Sequence, residues 1–241
     1  MTSVEIGIVA HPNRKHMAQE LGRKVGTACI SWDTWGMGAA RNHQLAWQYA
    51  KSSDADWLVF LEDDAVPVTG FRTQLEQVLR HCPGDIVSLY LGRGRPDQWQ
   101  LPISTVISQD VSFFRARTLL HAVGYAIRTP LLKPLDRAIL HLPAKVELAE
   151  GIGRWARRTN RGIFYARPSI VDHLDGDPVI ADSEREDGQS RAVPPHPSGG
   201  VIRKAWLFGD RRDWDSSWIE IPPPDLRRRD KVSPAVLQVH Q

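Results

Sequence analysis

Three consecutive carboxylates, Glu62, Asp63 and Asp64, close an apolar run of strand-forming residues, Trp57 to Leu61, and lead into a turn stiffened by Pro67. Adjacent carboxylates repel one another unless a cation lies between them. A hard divalent ion such as Mg²⁺ or Mn²⁺ suits oxygen ligands and leaves positions open for phosphate oxygens or water. The residue types and their spacing therefore point to a metal–diphosphate site, the alternative being a solvated acidic turn. For the acids to do chemistry, the run before them must be a strand of an open α/β sheet, because the carboxyl ends of such strands face the ligand crevice.

The surrounding chain supplies such a sheet. Val4 to Ala10 reads as a buried strand, followed by the polar loop His11-Pro12-Asn13-Arg14 and a helix to about Val25. This strand–loop–helix opening places His11, Asn13 and Arg14 where a nucleotide binds. Thr27 to Trp32 is expected to be a second strand ending at Asp33, a ribose or base contact, with a glycine-bearing loop, Thr34 to Gly38, and an amphipathic helix through about Lys51. After the acids come a helix from Phe71 to about His81 and a fourth strand, Asp85 to Leu91. The alternation predicts a parallel sheet with covering helices. Beyond Leu91, Gly92 to Trp99 is a basic, aromatic loop, either an acceptor-side insertion or an ordinary surface loop. Short strands are expected near Ser104 to Ile107 and Val123 to Ile127, helices over Thr129 to Leu140 and Val146 to Arg158, and a strand at Ile163 to Ala166 leading to Pro168–His173. From Ser183 the composition shifts to Pro, Gly, Arg and Asp, predicting an irregular tail wrapped on the body to about Ile221 and fraying after Pro224.

With 241 residues, 41% hydrophobic and 24% charged, the chain has globular composition and is expected to form one domain, which excludes collagen-like and wholly disordered classes. No apolar run approaches the roughly 20 residues that cross a bilayer, and no basic segment precedes a signal-type core, so a cytoplasmic protein without membrane insertion is expected. Its two cysteines, Cys29 and Cys82, suggest neither a disulfide framework nor a thiolate site and read as packing residues. A net charge of +3 is compatible with a polyanionic partner. Nine tryptophans are many for this length; Trp32, Trp35, Trp47, Trp99, Trp206, Trp214 and Trp218 lie in or near stretches rich in Gly, Asp and Arg, where they could stack on a sugar or base or simply pack.

Taken together, LEDDAVP after a strand, the earlier GAARNHQLAW, the central HAVGYAI and the late PSIVDHLDGD resemble a GT-A-type glycosyltransferase. More narrowly they resemble the phage and bacterial branch related to the lipopolysaccharide glycosyltransferase family 25, over residues 4 to 180. The resemblance implies an α/β, GT-A (Rossmann-like) mixed, mostly parallel sheet over residues 1–182, with a donor half, about 1–91, an acceptor half, about 92–182, and an irregular extension, 183–241. It further implies a nucleotide-sugar donor, a UDP-hexose such as UDP-glucose, with its diphosphate on a metal. Glu62, Asp63 and Asp64 stand where such enzymes carry Asp-x-Asp, with Glu at the first position. Asp64 is the main metal ligand implied, Glu62 a further one, and His173 of PSIVDH returns to the same ion; an imidazole ligand slightly favours Mn²⁺ over Mg²⁺. Arg14, Arg41 and Arg203 or Lys204 are the candidate cations for the departing nucleoside diphosphate. If the anomeric configuration inverts, a carboxylate must take the acceptor proton. Glu150 in LAEGIGRWARR is the candidate, with Glu147 in reserve, although a helix N-terminus explains either acid equally well. Retention needs no such base.

Three functions stay open on these residues. The first is glycosyl transfer to a phage-related acceptor, a hydroxymethylated pyrimidine in DNA or a virion protein, in the host cytoplasm if phage-encoded; Arg93, Arg95 and Trp99 and the Arg227–Arg229 run tilt toward DNA. The second is the same chemistry on a lipopolysaccharide or other glycan. The third is nucleotidyl transfer or a non-enzymatic nucleotide-binding role on the same sheet.

Overall fold

A computed structural model describes residues 2–141, 146–174 and 204–225. Its body is an eight-stranded mixed sheet with helices on both faces. The strands are β1 (Val4–Ala10), β2 (Ile30–Trp32), β3 (Trp57–Glu62), β5 (Ile86–Ser88), β6 (Phe113–Ala116), β7 (Gly124–Arg128), β8 (Ile163–Ala166) and β10 (Trp218–Glu220). Their lateral order is β10-β6-β8-β5-β7-β3-β1-β2. β1, β2, β3, β5 and β8 run one way; β6, β7 and β10 run against them. A second, two-stranded sheet pairs β4 (Ala65–Pro67) with β9 (Val171–His173).

Pleating decides which side chains face which layer. Along β3, Trp57, Val59 and Leu61 enter a core with α1 (Lys15–Val25) and α3 (Phe71–His81), through Leu21, Val25, Leu75 and Val78. Leu58 and Phe60 enter the opposite core, with α2 (Ala39–Ala50), α5 (Thr129–Leu140) and α6 (Leu148–Arg158), through Trp47, Leu132, Leu135, Ile152 and Trp155. Each fully buried large side chain contributes about 1.5–3 kcal/mol of transfer free energy, so β3, buried from Trp57 to Leu61, is the spine of the domain. α6 lies close to the connection after β6: a Cβ on Gly153 would stand 2.6 Å from Thr118 Oγ1 and 3.2 Å from its Cα.

Two expectations are corrected. Ser104 to Ile107 is no strand but the end of a helix, α4 (Asp97–Val106). Its β-branched residues favour an extended chain, but Ile103 and Val106, three apart, are the two that bury, and tertiary packing overrides propensity. The parallel run also does not continue side by side, because antiparallel β7 lies between β3 and β5. β5 is shorter than the expected Asp85–Leu91: Leu89 and Leu91 leave the ladder for the second sheet's neighbourhood, with the Val171 N–H donating to Leu89 O and the Leu91 N–H to Ser169 Oγ.

The described part of the C-terminal region packs closely on the body. Ala205 bridges Gly92, Phe208 bridges Ser169, and the Trp214 indole donates to Gln74 at 2.9 Å. Within it, β10 adds a parallel edge strand beside β6. Arg203, the Asp-Gly-Asp continuation beyond Leu174, and Arg227–Arg229 lie outside the described residues.

Candidate functional site

The site is built at the carboxyl ends of β1 and β3. β1 ends at Ala10, and the next residues form a single 3-10 turn, Pro12–Arg14, capped by His11, whose Nδ1 accepts from the Asn13 N–H at 3.2 Å. The His11 backbone N–H donates to Asp63 Oδ2 at 2.8 Å, and the turn projects Arg14 across to the acids. Arg14 Nη1 donates to Asp63 Oδ1 at 3.0 Å and to Asp64 Oδ2 at 2.6 Å. β4 then carries the chain into its pairing with β9, where Ala65 opposes His173. That register brings His173 Nε2 to 3.2 Å from Asp64 Oδ2, and the Leu174 N–H donates to Asp64 O.

Both aspartates are more than nine-tenths buried. Burial pushes the Asp63 carboxyl up, against the opposing bonds from His11 and Arg14, and leaves it above its ordinary range. Burial acts on Asp64 in the same sense, but His173 and Arg14 outweigh it and hold that carboxyl below the ordinary range. Burial lowers and the two aspartates raise the Arg14 guanidinium, with a net increase. One atom is left over: Asp64 Oδ1 is buried with no hydrogen-bond partner among the described residues.

An aromatic wall extends from this group. The Tyr90 ring lies 6.2 Å from that of His173 and edge-on to that of His121 at 5.1 Å. Burial, reinforced by Asp172 and Asp64, raises the Tyr90 hydroxyl far above its usual range, so it stays protonated. His121 Nε2 sits 2.8 Å from Arg95 O; a carbonyl only accepts, so Nε2 carries the proton and Nδ1 presents a lone pair, with no partner among the described residues. Burial, opposed by the Arg95 carbonyl and aided by His173, brings His121 down to about 4. Unfolded, its imidazole titrates near 6.5, so between those values the unfolded chain takes up a proton that the folded chain refuses. Stability is therefore complete above about pH 6.5 and falls as the pH drops toward 4, by about 2–3 kcal/mol from this residue. Urea midpoints across this range test it: His121→Gln should flatten the acid limb, and an unchanged slope would disprove the assignment.

The other face of the same strand end holds a second polar group. Pleating turns Glu62 toward α2, where its Oε1 lies 3.3 Å from His43 Nε2. His43, fully buried, places Nδ1 3.1 Å from the Tyr125 hydroxyl, which also accepts from the Trp47 indole at 2.9 Å. Trp47 can only donate, so Tyr125 gives its proton to His43 Nδ1 and His43 Nε2–H points at the carboxylate. Tyr125→Phe leaves two buried groups unpaired and should cost about 2–4 kcal/mol in chemical denaturation, whereas a neutral substitution would show that this chain of bonds is dispensable.

The structure thus brings together His11, Asn13, Arg14, Asp63, Asp64 and His173, and gives the other expected residues different contacts, although the Asp33 N–H donates to Ala10 O beside His11. Glu62 belongs to the opposite face. Asp33 accepts from the Met37 and Gly38 N–H groups at 2.6 and 2.9 Å, pinning its own loop, in which Gly36 and Gly38 have positive φ. Arg41 bonds Gln44 Oε1. The Lys204 backbone N–H donates to Asp172 Oδ1. Glu150, about half exposed in the first turn of α6, pairs with Arg154 at 2.6 Å rather than with the aspartates, and Glu147 is the N-cap residue of that helix without a side-chain capping bond. Tyr90, His121 and His43 were not anticipated. The available signal was a polar ring within or beside an apolar run: Tyr90 in IVSLYL, His121 at the head of HAVGYAI and His43 in NHQLAW.

No protein-family model matches the chain, and no curated protein matches it. Solved structures do align with it. A197 from STIV is 12% identical over 71% of this chain and 86% of that one, with a TM-score of 0.45. Drosophila β-1,4-galactosyltransferase 7, solved with manganese, UDP-Gal and xylobiose, is 10% identical over 71% of each chain, with a TM-score of 0.41. The inositol-1-phosphate CTP transferase from T. maritima is 9% identical over 68% of this chain and 66% of that one, with a TM-score of 0.39. Among the described residues no helix is long and apolar enough to cross a membrane, and no three His, Cys, Asp or Glu side chains converge as a ready metal cage.

Proposed function

We propose that this chain is a glycosyltransferase that takes a sugar from a nucleotide-sugar donor, a UDP-hexose, with a divalent cation at Asp64. The observation that carries the reading is the state of Asp64: one carboxylate oxygen is held by Arg14 and His173, and the other is buried without a partner among the described residues, at the carboxyl end of the central strand. A buried carboxylate oxygen lacking a donor suits a cation. Such ions commonly take one or two protein carboxylates and fill the remaining positions with water and substrate phosphates, so Asp64 with His173 fits without a larger cage, while both Asp63 oxygens are taken by the His11 N–H and Arg14. The imidazole favours Mn²⁺. When bound, the ion stabilises negative charge on the leaving nucleoside diphosphate. Arg14, on the β1 side of the aspartates, adds a second positive charge for that group.

The acceptor is a hydroxyl. If transfer inverts the anomeric centre, Glu150 takes the acceptor proton, and Glu150→Gln should then stop transfer while donor affinity is retained; unchanged turnover would eliminate it. The basic loop after β5 bears on whether that hydroxyl belongs to DNA. Arg93 stacks over Trp206 at 5.5 Å, the Arg95 carbonyl is engaged by His121, and Trp99, in the first turn of α4, packs on the core. These residues have work within the fold, so hydroxymethylpyrimidine DNA enters as one acceptor among several to be tested.

The deciding experiment is a mass-spectrometric assay with Mn²⁺ and a UDP-sugar panel. It offers 5-hydroxymethylcytosine DNA, 5-hydroxymethyluracil DNA, unmodified DNA and a glycan mixture in parallel. A hexose-sized gain confined to one acceptor supports the reading and names the acceptor. Release of pyrophosphate from nucleoside triphosphates, with no sugar transferred or hydrolysed, would replace it by nucleotidyl transfer.

A further inference from the structure

We propose that Arg14 is a resident counter-ion that competes with the divalent cation for the Asp63–Asp64 pair, and that it passes to the donor's diphosphate when the cation binds. This rests on the metal-dependent reading above. Two adjacent carboxylates, on side chains only 7% and 12% exposed, are held 3.0 and 2.6 Å from a single nitrogen, Arg14 Nη1. Such a pair is tolerable in a low-dielectric setting because a cation lies between its members, and the guanidinium supplies it. Both bonds are made end-on by one nitrogen rather than through the two-nitrogen fork that is the strongest arginine–carboxylate geometry.

The unpartnered Asp64 Oδ1 and the His173 imidazole are the remaining donors around the same carboxylate. A divalent ion using them takes over the neutralising role and repels the guanidinium. Asp63 stays tied to the His11 backbone N–H, so the exchange at Asp64 leaves the turn's anchor in place. The destination of Arg14 is set by the same turn, which stands at the end of β1 beside the acids. No covalent bond changes: one ion pair is exchanged for another. Arg14 thus keeps the acids paired before loading and supplies a cation to the diphosphate afterwards.

The test is Mn²⁺ titration of the whole protein followed by electron paramagnetic resonance, without nucleotide, on wild type, Arg14→Met, Arg14→Lys and Asp64→Asn. Removing the competing charge should tighten Mn²⁺ binding roughly tenfold in Arg14→Met, and Arg14→Lys should stay within about threefold of wild type. Asp64→Asn should lose the site. If wild type binds Mn²⁺ through Asp64 but Arg14→Met binds it no more tightly, the displacement is overturned and the metal reading stands. If wild type shows no Asp64-dependent Mn²⁺ uptake, both are overturned. Should Arg14→Met fail to fold in a thermal melt, the side-chain ¹⁵N resonance of Arg14 in wild type decides: it should shift and lose exchange protection on adding Mg²⁺, and an unmoved signal refutes the exchange.

Discussion

Asp64→Ala should lower sugar transfer at least about a thousandfold while leaving the fold intact. The two halves of this result have separate causes. On the proposed reading, transfer depends on the oxygen that has no partner among the described residues, and alanine removes it together with the contact to His173. The fold survives because Arg14 retains its bond to Asp63, so no buried charge is stranded and the stability change should stay within about 1 kcal/mol. Asp64→Asn keeps the shape and removes the charge; it should be as inactive as alanine if a cation is what the site binds. Turnover measured beside a thermal melt checks both halves, and a fully active, folded Asp64→Ala protein would remove the metal from the account.

The largest effect on stability is expected one residue before His173. Asp172 Oδ1 accepts three backbone N–H groups, from His173 at 2.9 Å, Lys204 at 3.1 Å and Ala205 at 2.9 Å, and the residue is 5% exposed. It fastens the segment that returns along β9 to bridge Gly92. Asp172→Ala strands those donors and should cost about 3–5 kcal/mol, since each buried unpaired group carries its own desolvation penalty and the three are partly coupled. Asp172→Asn retains an acceptor oxygen in nearly the same place and should recover most of the loss. Urea denaturation of the two variants separates carboxylate from shape, and wild-type stability in Asp172→Ala would show that the returning segment is held by other means.

The parts of this molecule governed by local pattern were legible in advance. The helices over Phe71–His81 and Thr129–Leu140 and the strand Ile163–Ala166 lie where their periodicity put them, because the repeat that buries one face is written within a dozen neighbouring residues. Lateral order is different in kind. Nothing in Gly124–Arg128 announces that it fits between Trp57–Glu62 and Ile86–Ser88, since strand neighbours are chosen by packing between distant segments. At the site, Asp63 and Asp64 could be named because acids at a strand end are unusual, and His173 through the resemblance carried by PSIVDH. Glu62 needed one further step. A count of two along β3 already puts it with Leu58 and Phe60, away from Leu61, and hence with His43 rather than with Arg14 and His173. Tyr90 and His121 are meaningful only as neighbours in space, and their sequence separation hid that.

The position of β7 also shapes how the chain reaches its native state. Residues 1–91 contain both strands that flank it, yet their facing edges pair with residues 124–128 instead of with each other. The first ninety residues accordingly do not constitute an autonomous folding unit, and a chain truncated after Leu91 should present two bare strand edges and self-associate. Closing the centre of the sheet requires a contact between residues about seventy positions apart, as in the Leu58–Ile127 pair, so folding is expected to be slow and cooperative, with the segments before and after Leu91 consolidating together.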